Sequence, residues 1–146
     1  MISFANREAL QAARNELEEA QVALVSPDLP LRVNLSAQEN VALIPLYQKD
    51  LSAPQAAQEA NVLLGQLGFP ELAPKREADM SAAEKFITLL ARAIMLKRSR
   101  LIIDRPGAML YDVHYPPFIQ LLRSRVQGEQ TWEIFDFVWN RPLYEP

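Results

Sequence analysis

An α/β fold with a helical insertion is what the sequence predicts, on three observations. Three short runs, VALV at 22–25, LIID at 101–104 and TWEIFDFVW at 131–139, have the length and the aliphatic or aromatic content of buried strands. The segments around them carry apolar residues at helical spacing. Ser36 with Glu39 and Ser81 with Glu84 write two capping boxes, each marking a helix start. The predicted order is helix, strand, three helices, strand, helix, strand.

Taken in order, residues 3–20 read as an amphipathic helix with Phe4, Leu10 and Leu17 on one stripe and Arg7, Glu8, Arg14, Glu18 and Glu19 mostly off it. The strand at 22–25 is bounded by Ser26-Pro27-Asp28, and Pro27 and Pro30 impose an extended connection. The helix opened by Ser36 should end or kink at Pro45. The next, over 52–68, starts near Ser52 and stops at Gly68. FPELAPKREAD is turn-rich. From Ser81 a long helix runs to Leu96, its apolar face built from Phe86, Ile87, Leu90, Ala91, Ile94 and Met95. Arg105-Pro106-Gly107 stops the second strand, and prolines at 116–117 suit the first turn of a helix over 116–127.

Composition excludes several function classes. The 146 residues fit one domain, and 49% hydrophobic with 23% charged residues is ordinary for a globular chain. A net charge of −3 and an isoelectric point near 5.2 argue against a nucleic-acid partner. No apolar run approaches the roughly 18–20 residues that cross a bilayer, and the N-terminus lacks the basic-then-apolar order of a signal peptide. The expected location is cytoplasmic. With no cysteine and a single histidine, His114, thiolate chemistry, disulfides and histidine-rich metal sites are excluded. His114 reads as a surface loop residue. Lys97, Arg98 and Arg100 read as cations closing a helix, favoured there by its dipole. Asp112, Glu133 and Asp136 are tied to one another by no spacing that would make a carboxylate pair.

Together these pieces resemble the nucleotide-binding domain of ABC transporters, of the type serving lipid and organic-solvent-tolerance importers. LSAQENVALIPL resembles the segment after the family's glutamine loop. ANVLLGQLGFPELAPKREADMSAAEKFITLLARAIML resembles the passage from the helical subdomain into the signature motif and its helix, and LIIDRP the Walker B strand. The resemblance covers roughly residues 16–139 and rests on order and spacing, since no single motif is intact. It implies a reduced P-loop-NTPase-like core with an ABC-type helical subdomain, its N-terminal strands and P-loop missing. One domain over 1–146 is expected, with a helical subdomain at about 36–97 and the remnant of the α/β core at 20–35 and 98–146.

The departures from the family pattern are specific. Gly65, Gly68, Gly107 and Gly128 are the only glycines and none begins G-x-x-x-x-G-K-[ST], whose backbone amides would cradle phosphates. Pro27 falls where the glutamine should help to hold magnesium. Ser81 survives in the signature motif, but Ala82 and Ala83 replace its glycines, so Ser81 and Glu84 read as a helix cap rather than phosphate ligands. Asp104 keeps the Walker B carboxylate, yet Arg105 follows it where the general-base glutamate belongs, and a guanidinium cannot take a proton from water. Asp104 then reads as a strand-end carboxylate paired with Arg105 or capping a turn. The switch histidine is missing near Asp136 and Phe137, and His114 lies too early to replace it.

The expectation drawn from these residues is a non-catalytic ABC ATPase-like protein, not an enzyme, with no catalytic, cofactor-binding or metal residues and no cofactor. It would act through protein–protein contact, by self-association or with a transporter subunit, and with neither nucleic acid nor direct membrane insertion. Residues 27–47 are the expected contact surface, because in the family this region and the helical subdomain meet the membrane subunit. The aromatic run at 131–139 or VALV is expected near an unpaired sheet edge, with Glu133 and Asp136 as blunting charges and a homodimer as the simplest cover. The second reading is a noncanonical nucleotide-binding or self-associating cytoplasmic module. The third is an enzyme using Asp104 and Arg105 for unrelated chemistry.

Overall fold

The computed structural model describes residues 2–19 and 21–145. Its framework is a four-stranded parallel sheet of β1 (Ile2–Ala5), β2 (Ala23–Val25), β3 (Arg100–Asp104) and β4 (Thr131–Phe137), in the order β1-β4-β3-β2. β3 pairs with β2 through Leu24 opposite Ile102 and with β4 through Ile103 opposite Ile134. β1 pairs with β4, Ile2 opposite Ile134. Leu101, Ile102 and Ile103 are fully buried, as a central strand with neighbours on both sides requires.

Helices fill the intervals: α1 (Arg7–Glu19), α2 (Ala37–Gln48), α3 (Ala53–Leu67), α4 (Ala82–Met95), α5 (Pro106–Met109) and α6 (Tyr115–Arg125), with short 3-10 turns at 70–72, 77–79 and 138–143. Both predicted capping boxes form: Ser36 Oγ accepts from the Glu39 amide at 3.1 Å, and Ser81 Oγ from the Glu84 amide at 3.1 Å. Ser52 and Gln55 build a third at the head of α3. Gly68 ends α3 at φ +95°, a conformation glycine adopts without penalty. The face of α4 carrying Phe86, Ile87, Leu90 and Ala91 is buried and joins Leu64, Leu67, Leu72, Leu110 and Leu122 in one core.

Three differences from the sequence reading have physical causes. Residues 2–5 form strand β1 rather than the first turn of a helix, because Asn6 intervenes as the cap: its Oδ1 accepts from the Ala9 amide at 2.8 Å. Leu17, Glu18 and Glu19, assigned above to or off the apolar stripe, have side chains outside the described residues. Pro45 does not end α2, which runs on to Gln48; so near the C-terminus its ring removes one ladder bond, and its own carbonyl still accepts from the Lys49 amide at 3.0 Å.

The largest correction concerns β4. It lies inside the sheet, between β1 and β3, and the edges are β1 and the three-residue β2, so of the two expected edge segments VALV is the one at an edge. Glu133 and Asp136 are therefore buried groups with partners, not blunting charges on an edge. Arg100 Nε donates to Glu133 Oε2 at 2.8 Å. Asp136 Oδ2 accepts from the Tyr115 and Tyr144 hydroxyls at 2.9 and 2.7 Å, while Oδ1 accepts from the Phe137 amide and Asn140 Nδ2 at 2.7 and 2.9 Å. Burial first, and then the Asp136 carboxylate, push the Tyr115 hydroxyl up to about 12 and raise that of Tyr144 as well. This clasp fastens the last turn, residues 138–143, to the end of β4.

Candidate functional site

Four parallel strands bring their carboxyl ends to one side, where ligands of open α/β sheets bind. Five polar side chains from three places in the sequence meet there. Asp104 is the last residue of β3 and Arg105 follows it. Ser26 follows β2, Asp28 stands two residues on, and Arg14 projects from α1.

Asp104 and Ser26 are 1% and 0% exposed, so the carboxylate must find its partners within the protein. Ser26 Oγ donates to Asp104 Oδ2 at 2.9 Å and accepts from the Asp28 amide at 3.2 Å. Arg105 donates from Nε to Asp104 Oδ1 at 3.1 Å and from Nη2 to Asp104 Oδ2 at 2.9 Å. The same Nη2 donates to Asp28 Oδ2 at 2.5 Å. Arg14 pairs with Asp28 through Nη1, and its Nε lies 3.9 Å from Asp104 Oδ2.

Arg105 reaches back onto its neighbour because its backbone is left-handed, φ 49° and ψ 61°. Pro106 disfavours the right-handed region at the residue before it and opens α5. The conformation costs about 1–2 kcal/mol, offset in part by the Arg105 amide, which donates to the Phe135 carbonyl at 2.8 Å. The Asp104 carboxylate, then that of Asp28, hold the guanidinium above the ordinary arginine value against the opposing effect of burial. Beside this cluster a cavity of about 370 Å³ is lined by Arg7, Gln11, Arg14, Arg105 and Phe137, with Trp139 stacked on Phe137 at 4.4 Å. A cavity of about 960 Å³ lies at the opposite end of the sheet, with Lys97 and Arg98 in its wall.

The sequence-predicted residues distribute themselves as follows. Asp104 and Arg105 pair as read from the sequence, and Pro27 contributes no polar group while its neighbours Ser26 and Asp28 both do. Ser81 and Glu84 cap α4, and Glu84 also accepts from Lys75 Nζ at 2.8 Å, a contact that holds its carboxyl below the usual range. His114 is exposed before α6. Lys97, Arg98 and Arg100 follow α4 instead of closing it; Arg98 donates to Gln21 Oε1 at 2.9 Å. Asp112, Glu133 and Asp136 do not converge: Asp112 is exposed and the other two keep the separate partners given above. Sequence reasoning missed Ser26, Asp28 and Arg14 as site residues; the available signal was a polar pair directly after a buried strand.

The segment 27–47 has its own construction. Arg92 donates from Nη2 to the Leu29 carbonyl at 2.7 Å and from Nη1 to the Pro30 carbonyl at 3.1 Å. Burial, and secondarily Arg32, lower the Arg92 guanidinium from its ordinary value. The fully buried Asn40 amide donates to the carbonyls of Arg32, Leu35 and Ser36 at 3.0–3.3 Å and accepts from the Arg32 amide at 2.9 Å. On this braced loop and helix Leu29, Val33 and Tyr47 are 42%, 67% and 78% exposed.

Comparison with known proteins gives these features a lineage. No family model matches the chain. An uncharacterized ABC transporter ATP-binding protein of Mycobacterium tuberculosis is 30% identical over 120 residues, 82% of this chain and 36% of the relative. The lipoprotein-releasing system ATP-binding protein LolD of Colwellia psychrerythraea is 31% identical over 101 residues, 69% of this chain and 39% of the relative. Among solved structures, cbiO1 from Clostridium perfringens, part of the ABC transporter complex cbiONQ, superposes with a TM-score of 0.68 at 21% identity over 92% of this chain and 54% of its own. The bacterial ABC transporter cassette MJ0796 superposes with a TM-score of 0.64 over 88% of this chain and 57% of its own, at 20% identity. The chain is thus homologous to ABC transporter ATP-binding proteins, shares the fold of their cassettes, and spans about a third of the length of the curated relatives it matches. No helix among the described residues is long and apolar enough to cross a membrane.

These relatives overturn the expectation that the protein is not an enzyme: ABC ATP-binding proteins are ATPases. That expectation treated each altered motif position as the sole source of its chemistry, which position-by-position reading cannot establish. One local statement stands on geometry. Magnesium at the end of β3 does not fit the side chains found there, since both oxygens of Asp104 are held by Arg105 and one also by Ser26. Among the described residues no group of three or more acidic or histidine side chains is placed to hold a metal.

Proposed function

We propose that the chain works within an ATP-binding cassette unit of a membrane transporter and meets the membrane subunit through residues 27–47. The ATP-binding role is taken from the names of its relatives. The observation that supports the contact surface is apolar exposure on a rigid support: Leu29, Val33 and Tyr47 face solvent from backbone held by Arg92 and Asn40. Mobile loops lose entropy on docking, whereas a braced one presents its apolar groups already ordered. In this reading residues 36–97 form the helical subdomain, and 20–35 with 98–146 the α/β part, so the contact surface straddles their junction. Coupling then runs from the loop through Arg92 into α4, whose amino end carries the signature-like Ser81.

A photo-crosslinking residue at Val33, with one at the exposed Leu121 on α6 as control, tests this in membranes of expressing cells. Val33 should give an adduct with a multi-spanning membrane protein and Leu121 should not, and Arg92→Ala should reduce the Val33 adduct severalfold. Equal labelling from both positions, or labelling from Val33 only to soluble proteins, would refute the assignment.

A further inference from the structure

We propose that the Arg105 guanidinium fills, as part of the chain itself, the place of a divalent cation between Asp104 and Asp28. This end of the sheet is then held together without metal and becomes a metal site when the guanidinium charge is withdrawn. The inference shares Asp28 with the segment 27–47 but does not rest on that segment's meeting a membrane subunit.

A bridging cation between carboxylates must meet oxygens from separate segments at once, and Arg105 does so. Its Nη2 is 2.9 Å from Asp104 Oδ2 on β3 and 2.5 Å from Asp28 Oδ2 beyond β2, while Nε closes on Asp104 Oδ1 at 3.1 Å. A planar fork can satisfy both oxygens of one carboxylate and still reach a second group, which a single ammonium cannot do with the same geometry. The oxygen set is the one hard divalent cations take, two carboxylates and a hydroxyl, with Ser26 Oγ directed at Asp104 Oδ2 from 2.9 Å. Asp104 is almost wholly buried, so a positive partner is obligatory there. The left-handed backbone at Arg105 turns the side chain back onto that strand end instead of outward to solvent.

Arg14 is the second cation of the cluster, on Asp28, so the charge is withdrawn in two steps. Mn²⁺ is titrated, with its free-ion paramagnetic signal as the measure, into wild type, Arg105→Gln, and Arg14→Gln/Arg105→Gln, whose glutamines are shorter but keep a polar, uncharged head. Wild type should show no saturable binding tighter than about 1 mM. The double variant should bind one equivalent at least about tenfold more tightly, and adding Asp104→Asn should abolish it. Wild type that takes up one equivalent and loses it in Asp104→Asn overturns the proposal, as does a folded double variant that binds none. Should the variants lose their fold, melting of wild type decides: identical midpoints in chelator and in excess Mn²⁺ support the proposal, and a rise that Asp104→Asn removes refutes it.

Discussion

Asp136→Ala removes the acceptor on which four donors converge at the end of β4. Hydrogen bonds to a charged group contribute about 1.5–3 kcal/mol each, so the four set an upper figure of about 6–12 kcal/mol. Keeping a carboxylate at 1% exposure opposes this by several kcal/mol. The difference, together with two phenol hydroxyls left without their acceptor, gives an expected loss of about 3–5 kcal/mol. With a urea dependence of about 2 kcal/mol per molar, the unfolding midpoint should fall by about 1.5–2.5 M. Trp132 and Trp139 report unfolding by fluorescence, Trp139 through its stack on Phe137 beside the clasp. Tyr144→Phe deletes one of the four donors and should cost about 1.5–3 kcal/mol. A loss below about 1 kcal/mol for the alanine variant, or a Tyr144→Phe loss equal to it, would show that the carboxylate is not the centre of the clasp.

Alkaline stability follows from the same tyrosines. A folded-state value raised above the ordinary 10.0 means stability fully present below pH 10 and lost as pH rises toward about 12, since there the unfolded chain has given up a proton that the folded one retains. Wild type should therefore lose about 1.4 kcal/mol per pH unit for Tyr115 in that window, and Tyr115→Phe should flatten the decline; an unchanged slope would contradict the assignment. Gly68→Ala places a methyl carbon 2.4 Å from Arg125 Nη1 at φ +95°. It should lower stability by about 1–3 kcal/mol in thermal melts, and a neutral result would mean that Arg125 moves aside freely.

Local signals in the sequence carried most of the architecture. Capping boxes, helical spacing around Phe86 and Leu90, and the aliphatic run before Asp104 are each decided within a few residues of chain, and the structure holds them where the sequence implies. Strand β1 was not legible, because four residues beside a helix cap carry no periodicity of their own and become a strand only by pairing with β4. The same long-range pairing moved β4 from the edge to the interior and turned Glu133 and Asp136 from surface charges into buried ones. In the site, Asp104 with Arg105 was visible as neighbours, whereas Arg14, Ser26 and Asp28 join them only through the order of strands in the sheet. Catalytic standing was least legible, since it was argued from motif positions singly while the relatives speak for the assembled unit.

The pairing of Ile2 with Ile134 sets the order in which this sheet can be completed. Residues 2–5 leave the ribosome ahead of every other described segment, yet their hydrogen-bonding partner is among the last to emerge. A segment in that position has no partner until β4 is made, and closing so large a loop costs about 4 kcal/mol of chain entropy before any ladder bond returns it. Nucleation is therefore expected in the helices and in the contact of β2 with β3, and docking of β1, whose Ala5 pairs with Phe137 in the wall of the arginine-lined cavity, is expected as a late, separable event.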